Sequence, residues 1–139
     1  CKSHLIPDEN RIYINLNEMH GENDIYFILA HEIRHCAQYQ ATEGIGLVDI
    51  ALPETIYKWK TEFSRYNPGC NDESCQEVEL DAMAFTWFIG KILLNVDVEL
   101  SCDEVLVEPY KRYIIRNYSL TEIKERLDYS GLEFGRNQA

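Results

Sequence analysis

The spacing of apolar positions changes along the chain, and each change marks an element. Apolar side chains alternate at Ile12, Ile14 and Leu16, a two-residue period that buries one face of a strand. With His4, Leu5 and Ile6 before the break at Pro7-Asp8-Glu9-Asn10, this predicts two short strands, 4–6 and 11–16, joined as a hairpin. After Gly21, Glu22 and Asn23 the period lengthens to that of a helix, which should run from about 24 to 40. Pro53, favoured in a first helical turn, opens a second helix that reaches Tyr66 and ends before Asn67-Pro68-Gly69. A long apolar-rich helix follows from about 74 to 96. Two further helical stretches lie within about 102–130, the first interrupted or restarted at Pro109. Ser101-Cys102-Asp103-Glu104 and Ser119-Leu120-Thr121-Glu122 are capping-box patterns that mark their starts. No repeat or composition shift divides the chain, so residues 1–139 are expected to form a single α+β domain, mainly helical.

Charge and cysteine usage narrow the partners. Twenty-four acidic against 13 basic residues give a net charge of -11, which argues against nucleic acid or an anionic membrane as partner. No run approaches the length of a membrane span, and the start Cys1-Lys2-Ser3-His4 lacks the apolar core of a signal peptide. A chain beginning at Cys1 is expected to be a fragment, a processed product or a trimmed form. The five cysteines have no zinc-finger spacing. They read as reduced thiols in a cytoplasmic protein, with a small redox or metal loop at Cys70 and Cys75 as the alternative.

The chemistry is concentrated in His31-Glu32-Ile33-Arg34-His35, an HExxH pattern inside the first long helix. Residues four apart lie on one helical face, so two imidazoles can share one Zn²⁺ while the intervening carboxylate reaches its water. On a helical wheel Ile25, Tyr26, Leu29, Ala30, Ile33, Cys36 and Ala37 form a broad apolar arc. His31, His35 and Gln38 fall opposite it with Asp24, which argues against core filler and leaves solvated histidines as the bland alternative. Arg34 is expected on the helix surface.

A third ligand is sought in Glu77-Val78-Glu79-Leu80-Asp81. On that helix Glu77 and Asp81 share an arc with Ala84, Phe85, Phe88 and Ile92, whereas Glu79 falls on the far side with Thr86 and Gly90. Acids on an apolar face need a cation or strong donors. Glu77 is therefore the preferred metal ligand with His31 and His35, although Ser74-Cys75-Gln76-Glu77 is also a capping box that would occupy the same carboxylate. Asp81 is expected behind a ligating histidine, accepting its free ring N–H and fixing its tautomer, with a salt bridge to Arg or Lys as the alternative.

His31-Glu32-x-x-His35 followed by Glu77-x-x-x-Asp81 resembles a gluzincin-type zinc metallopeptidase, and the wording around both segments is similar to the compact ImmA/IrrE-like peptidases of bacteria, phages and mobile elements. The resemblance spans roughly residues 11–95. Two departures are Arg34, where the family usually has a small residue, and Trp87 to Leu94, which lacks a Leu-Met-Pro-like ending. The resemblance implies a zincin-like domain with its hairpin packed on the HExxH helix, zinc held by His31, His35 and Glu77, and peptide-bond hydrolysis by metal-activated water with Glu32 as general base. A protein or peptide substrate follows from that activity. Tyr13, His20, Tyr57, Tyr110 and Tyr113 are the candidate oxyanion donors. The other classes are a zinc-binding regulatory or protein-interaction module without turnover and a metal-free helical interaction protein. The sequence leaves the oligomeric state open.

Overall fold

The computed structural model describes residues 3–9, 11–46, 50–67 and 75–118. It is a mainly helical α+β fold with a two-stranded antiparallel sheet at its start. Strand β1 (His4–Ile6) pairs with β2 (Arg11–Tyr13) in the register His4 to Tyr13, Leu5 to Ile12 and Ile6 to Arg11. β2 is shorter than the alternation suggested, because the chain turns into a 3₁₀ segment at Leu16–Glu18. Asn15 caps that turn by accepting a hydrogen bond from the Asn17 backbone N–H. β1 lies against the first long helix, α1 (Asp24–Thr42). Asp24, in its first turn, accepts hydrogen bonds from the backbone N–H groups of His20 and Gly21, tying the incoming loop to the helix start.

Helix α2 (Pro53–Ser64) starts at its proline, and α3 (Glu77–Ile89) continues through one π-helical turn at Gly90–Leu94. No side chain local to α3 caps it; Glu62 of α2 reaches across, and its two carboxylate oxygens accept the backbone N–H groups of Glu77 and Val78 at 2.9 Å each. Ser74, which would begin the local capping box, lies outside the described residues. The last described helix, α4 (Glu104–Asn117), is capped by Asp103, two residues later than the Ser101 pattern suggested. It also runs unbroken through Pro109. Proline removes one intrahelical bond there, and the packing of Val107 and Ile114, both fully buried against α3, outweighs that loss. The expected helix beginning near Ser119 falls outside the described residues.

α3 is the centre of the fold. Leu80, Met83, Ala84 and Phe88 pack on Val107 and Ile114 of α4, while Val78 joins Ala41, Ile50 and Trp59 in a second cluster with α1 and α2. Surrounded on three sides, α3 has no solvent face over most of its length, and Glu79, Asp81 and Thr86 are buried with the apolar residues. No helix among the described residues is long and apolar enough to cross a membrane. Cys36 and Cys102 are free, whereas Cys75 is disulfide-bonded, so reduced thiols there no longer argue for a reducing compartment; Cys70 lies outside the described residues.

Gly90 marks a close approach between the end of α3 and the segment after it. A Cβ at this position would overlap Val98 Cγ2 and lie 3.3 Å from Phe27 Cε1. Gly90→Ala should therefore destabilise the protein by about 1–3 kcal/mol through overpacking, seen as a fall in Tm of roughly 3–12 °C by thermal denaturation. An unchanged Tm would refute the close approach.

Candidate metal centre

α1 carries His31 and His35 one turn apart, and α3 passes close enough to place a carboxylate between them. That carboxylate is Glu79. Its Oε2 lies 3.3 Å from His31 Nε2, its Oε1 lies 2.9 Å from His35 Nε2, and the two Nε2 atoms are 3.1 Å apart. Bonds of 2.0–2.1 Å at tetrahedral angles put neighbouring donor atoms about 3.3 Å apart, so the three groups already have the spacing of a coordination site. His31, His35 and Glu79 could hold a metal ion.

Tautomer logic supports the fit. Gln38 donates from its Nε2 to the Val78 carbonyl (3.0 Å) and to Asp81 Oδ2 (2.6 Å), which fixes its amide orientation. Its Oε1 must then accept from His35 Nδ1, 2.8 Å away. With the proton of a neutral His35 held on Nδ1, a lone pair on Nε2 faces Glu79 and His31, an acceptor-rich arrangement that calls for a cation.

The electrostatics of the site without a metal point the same way. Burial penalises the Glu79 carboxylate, yet hydrogen bonds from His31 and His35 outweigh it and hold the carboxyl well below its usual range. Burial likewise disfavours a charged His35, but the bond and charge of Glu79 raise its pKa overall.

Glu77, the expected third ligand, is elsewhere. Its carboxylate meets Lys58 Nζ at 2.5 Å on a partly exposed edge. The two acids are separated by 200° of helical turn, and the burial of α3 on several sides lets the far one face α1. Asp81 does not accept a histidine N–H directly. It is bound in bidentate fashion by Arg34, at 2.7 Å from Nε and 3.1 Å from Nη2, and stands behind Gln38 rather than behind the ring. Arg34 is correspondingly buried rather than on the surface; its guanidinium also donates to Tyr118 Oη and lies over the Phe85 ring. The buried face of α1 thus consists largely of Glu32, Arg34, His35 and Gln38, while Ile33, placed on the expected apolar arc, is 51% exposed.

Glu32 behaves differently from every other acid in the site. Its residue is 5% exposed and lines the adjoining cleft, and among the described residues no group hydrogen-bonds it. Desolvation raises its pKa above the ordinary carboxylate value, partly offset by the neighbouring histidines. The cleft, about 520 Å³, is walled by Phe27, Ile28, Met83, Val98 and Leu100.

Tyr66 is the site residue that sequence reasoning missed. Its hydroxyl donates to Glu79 Oε1 and lies 3.3 Å from His35 Nε2, and it lines the same cleft. Burial, followed by the charge of Glu79, raises its pKa, so the phenol stays protonated. Nothing in its spacing distinguishes it among nine tyrosines. Of the expected donors only His20 lines this cleft; Tyr110 and Tyr113 line a second cavity with Glu77 and Asp81, and Tyr13 and Tyr57 are exposed.

Compared with known proteins, the chain matches no family model, no curated protein and no solved structure.

Glu79→Ala should weaken binding of a divalent metal by more than the roughly 10–100-fold that loss of a supporting hydrogen-bond partner costs. Glu77→Ala should leave affinity within about twofold of the parent, because Glu77 lies outside the ligand group. Titration with metal followed by elemental analysis checks both; the reverse order of effects would refute the assignment.

Proposed function

We propose that the protein is a zinc-dependent metallopeptidase, and more narrowly one of gluzincin type, with His31, His35 and Glu79 as ligands and Glu32 as general base. The observation that carries this reading is Glu32 beside the three-ligand group: no described residue hydrogen-bonds its carboxylate, whose oxygens stay open to the cleft although the residue as a whole is buried. A metal site that serves only to hold a fold has no need of such a residue. Zinc suits two imidazoles and one carboxylate with a position left for water, and when bound it supplies the Lewis acidity that makes water nucleophilic near neutral pH and polarises a peptide carbonyl.

The residues of this chain do the rest. Glu32 accepts a proton on a carboxylate oxygen as water attacks, and its desolvation-raised pKa suits it to hold that proton. It then delivers the proton to the leaving amine nitrogen, completing hydrolysis of the peptide bond. Tyr66, kept neutral, would turn its one O–H from Glu79 to the carbonyl oxygen as negative charge develops there. Gln38, braced by Asp81 and Arg34, fixes the ring of His35. Of the resemblance to ImmA/IrrE-like peptidases, the HExxH part supports this reading, whereas the Glu77-x-x-x-Asp81 part does not, since Glu79 takes the place expected of Glu77.

Glu32→Gln should retain zinc and lose peptide cleavage by about 10²–10⁴-fold, the usual weight of a general base. Zinc content and turnover of an unstructured protein substrate, measured together, check this; cleavage near the parent rate would remove Glu32 from the mechanism. Tyr66→Phe should lower kcat by about 10²–10³-fold with little change in KM. A rise in KM alone would mean that the hydroxyl serves binding instead.

A further inference from the structure

We infer that the cleft selects peptides carrying a lysine or arginine beside the scissile bond, an inference that rests on the peptidase reading above. The cleft has two kinds of wall. Phe27, Ile28, Met83, Val98 and Leu100 supply apolar surface, and Glu18, Asp24 and Glu99 supply carboxylates beyond those of Glu32 and Glu79. Among the described residues lining it there is no Lys or Arg. Five carboxylates thus line the cleft, and a divalent ion held by His31, His35 and Glu79 cancels only two of those charges. The cleft remains anionic with its metal in place.

A long basic side chain matches both walls. Its methylene stem covers apolar surface while its terminal cation reaches a carboxylate, which neither an aliphatic nor an acidic residue can do. Two of the three outer acids already have structural tasks: Glu18 accepts hydrogen bonds from the Ser3 backbone N–H and hydroxyl, and Asp24 holds the start of α1. Glu99 differs. It is exposed, lines the cleft and has no hydrogen bond or ion pair with any described residue, so its charge is available to what enters there. Glu32, 5% exposed as a residue and hydrogen-bonded by no described residue, also lines the cleft, which marks it as a place where a ligand belongs. The overall charge of -11 assists encounter with cationic chains.

The test uses the zinc-loaded protein and a capped peptide library in which the positions flanking a fixed central bond carry Lys, norleucine or Glu equally, with products read by mass spectrometry. Norleucine has an unbranched aliphatic stem without the cation. Expected is a kcat/KM for Lys about tenfold above norleucine, with Glu lowest, corresponding to about 1.4 kcal/mol of discrimination. Glu99→Lys should narrow the Lys-to-norleucine ratio severalfold while leaving zinc content unchanged. A fluorescein-labelled Lys peptide should bind the zinc-loaded Glu32→Gln protein and release as salt is raised. Cleavage with equal rates for Lys and norleucine overturns this inference and leaves the peptidase reading standing. Salt-sensitive binding of the Lys peptide with no cleavage by the parent protein overturns the peptidase reading and keeps the basic preference. Absence of both binding and cleavage overturns the two together.

Discussion

A carboxylate as buried as Glu79, with 2% of its residue exposed, survives in a helical core only where cations or strong donors reach it, and α1 delivers two imidazoles on consecutive turns. Tyr66 adds a third contact from the end of α2. Three segments distant in sequence are thereby committed to one point, and the relative positions of α1, α2 and α3 must satisfy it. Glu62 reinforces the same arrangement from the other direction, since its carboxylate crosses from α2 to cap the very turn of α3 that carries Glu79. The helix whose start is fixed this way has little freedom to rotate its acids away from α1.

Behind the ligands lies a second layer of polar burial with its own logic. Asp81, bidentate with Arg34, also accepts from Gln38, and Gln38 in turn accepts from His35. Each member satisfies the next, so none is left as an unpaired group in low dielectric. The arrangement contributes order more than net stability, because a buried ion pair recovers little beyond its desolvation cost. Its consequence for the site is a histidine ring held in one orientation with Nδ1 bound to Gln38, so that Nε2 is the nitrogen turned toward Glu79 and His31.

The parts legible in the sequence were those governed by spacing within one element. HExxH placed His31, Glu32 and His35 together on α1, and alternation with turn residues located the hairpin. Errors came where a wheel assumes one buried face. α3 is enclosed by α1, α2 and α4, so an acid opposite its apolar arc is as buried as one upon it, and Glu79 rather than Glu77 met the histidines. The same reasoning misread α1, whose inward face is polar because it meets polar partners on α3, leaving Ile33 outside. Tyr66 depends on where a loop returns after α2, and such long-range placement leaves no local periodicity to read.

The distinction between a site that binds metal and one that works on a substrate turns on unsatisfied groups. Fold stability favours pairing every buried polar atom, and this interior largely complies: Glu79, Asp81, Arg34, His35 and Gln38 all have partners. Among the described residues the one buried side-chain atom without a partner is Trp59 Nε1, away from the centre, whereas Glu32, which no described residue hydrogen-bonds, keeps its oxygens open to the cleft. Partial desolvation there raises the affinity of the carboxylate for a proton, the property that the proposed general-base role would need. Position strengthens the point, since Glu32 lies between two ligands on the same helix and cannot be far from whatever they hold. The pairing of the ligands explains how a metal could be held; Glu32, open to the cleft beside them, is the residue on which the proposed hydrolysis rests.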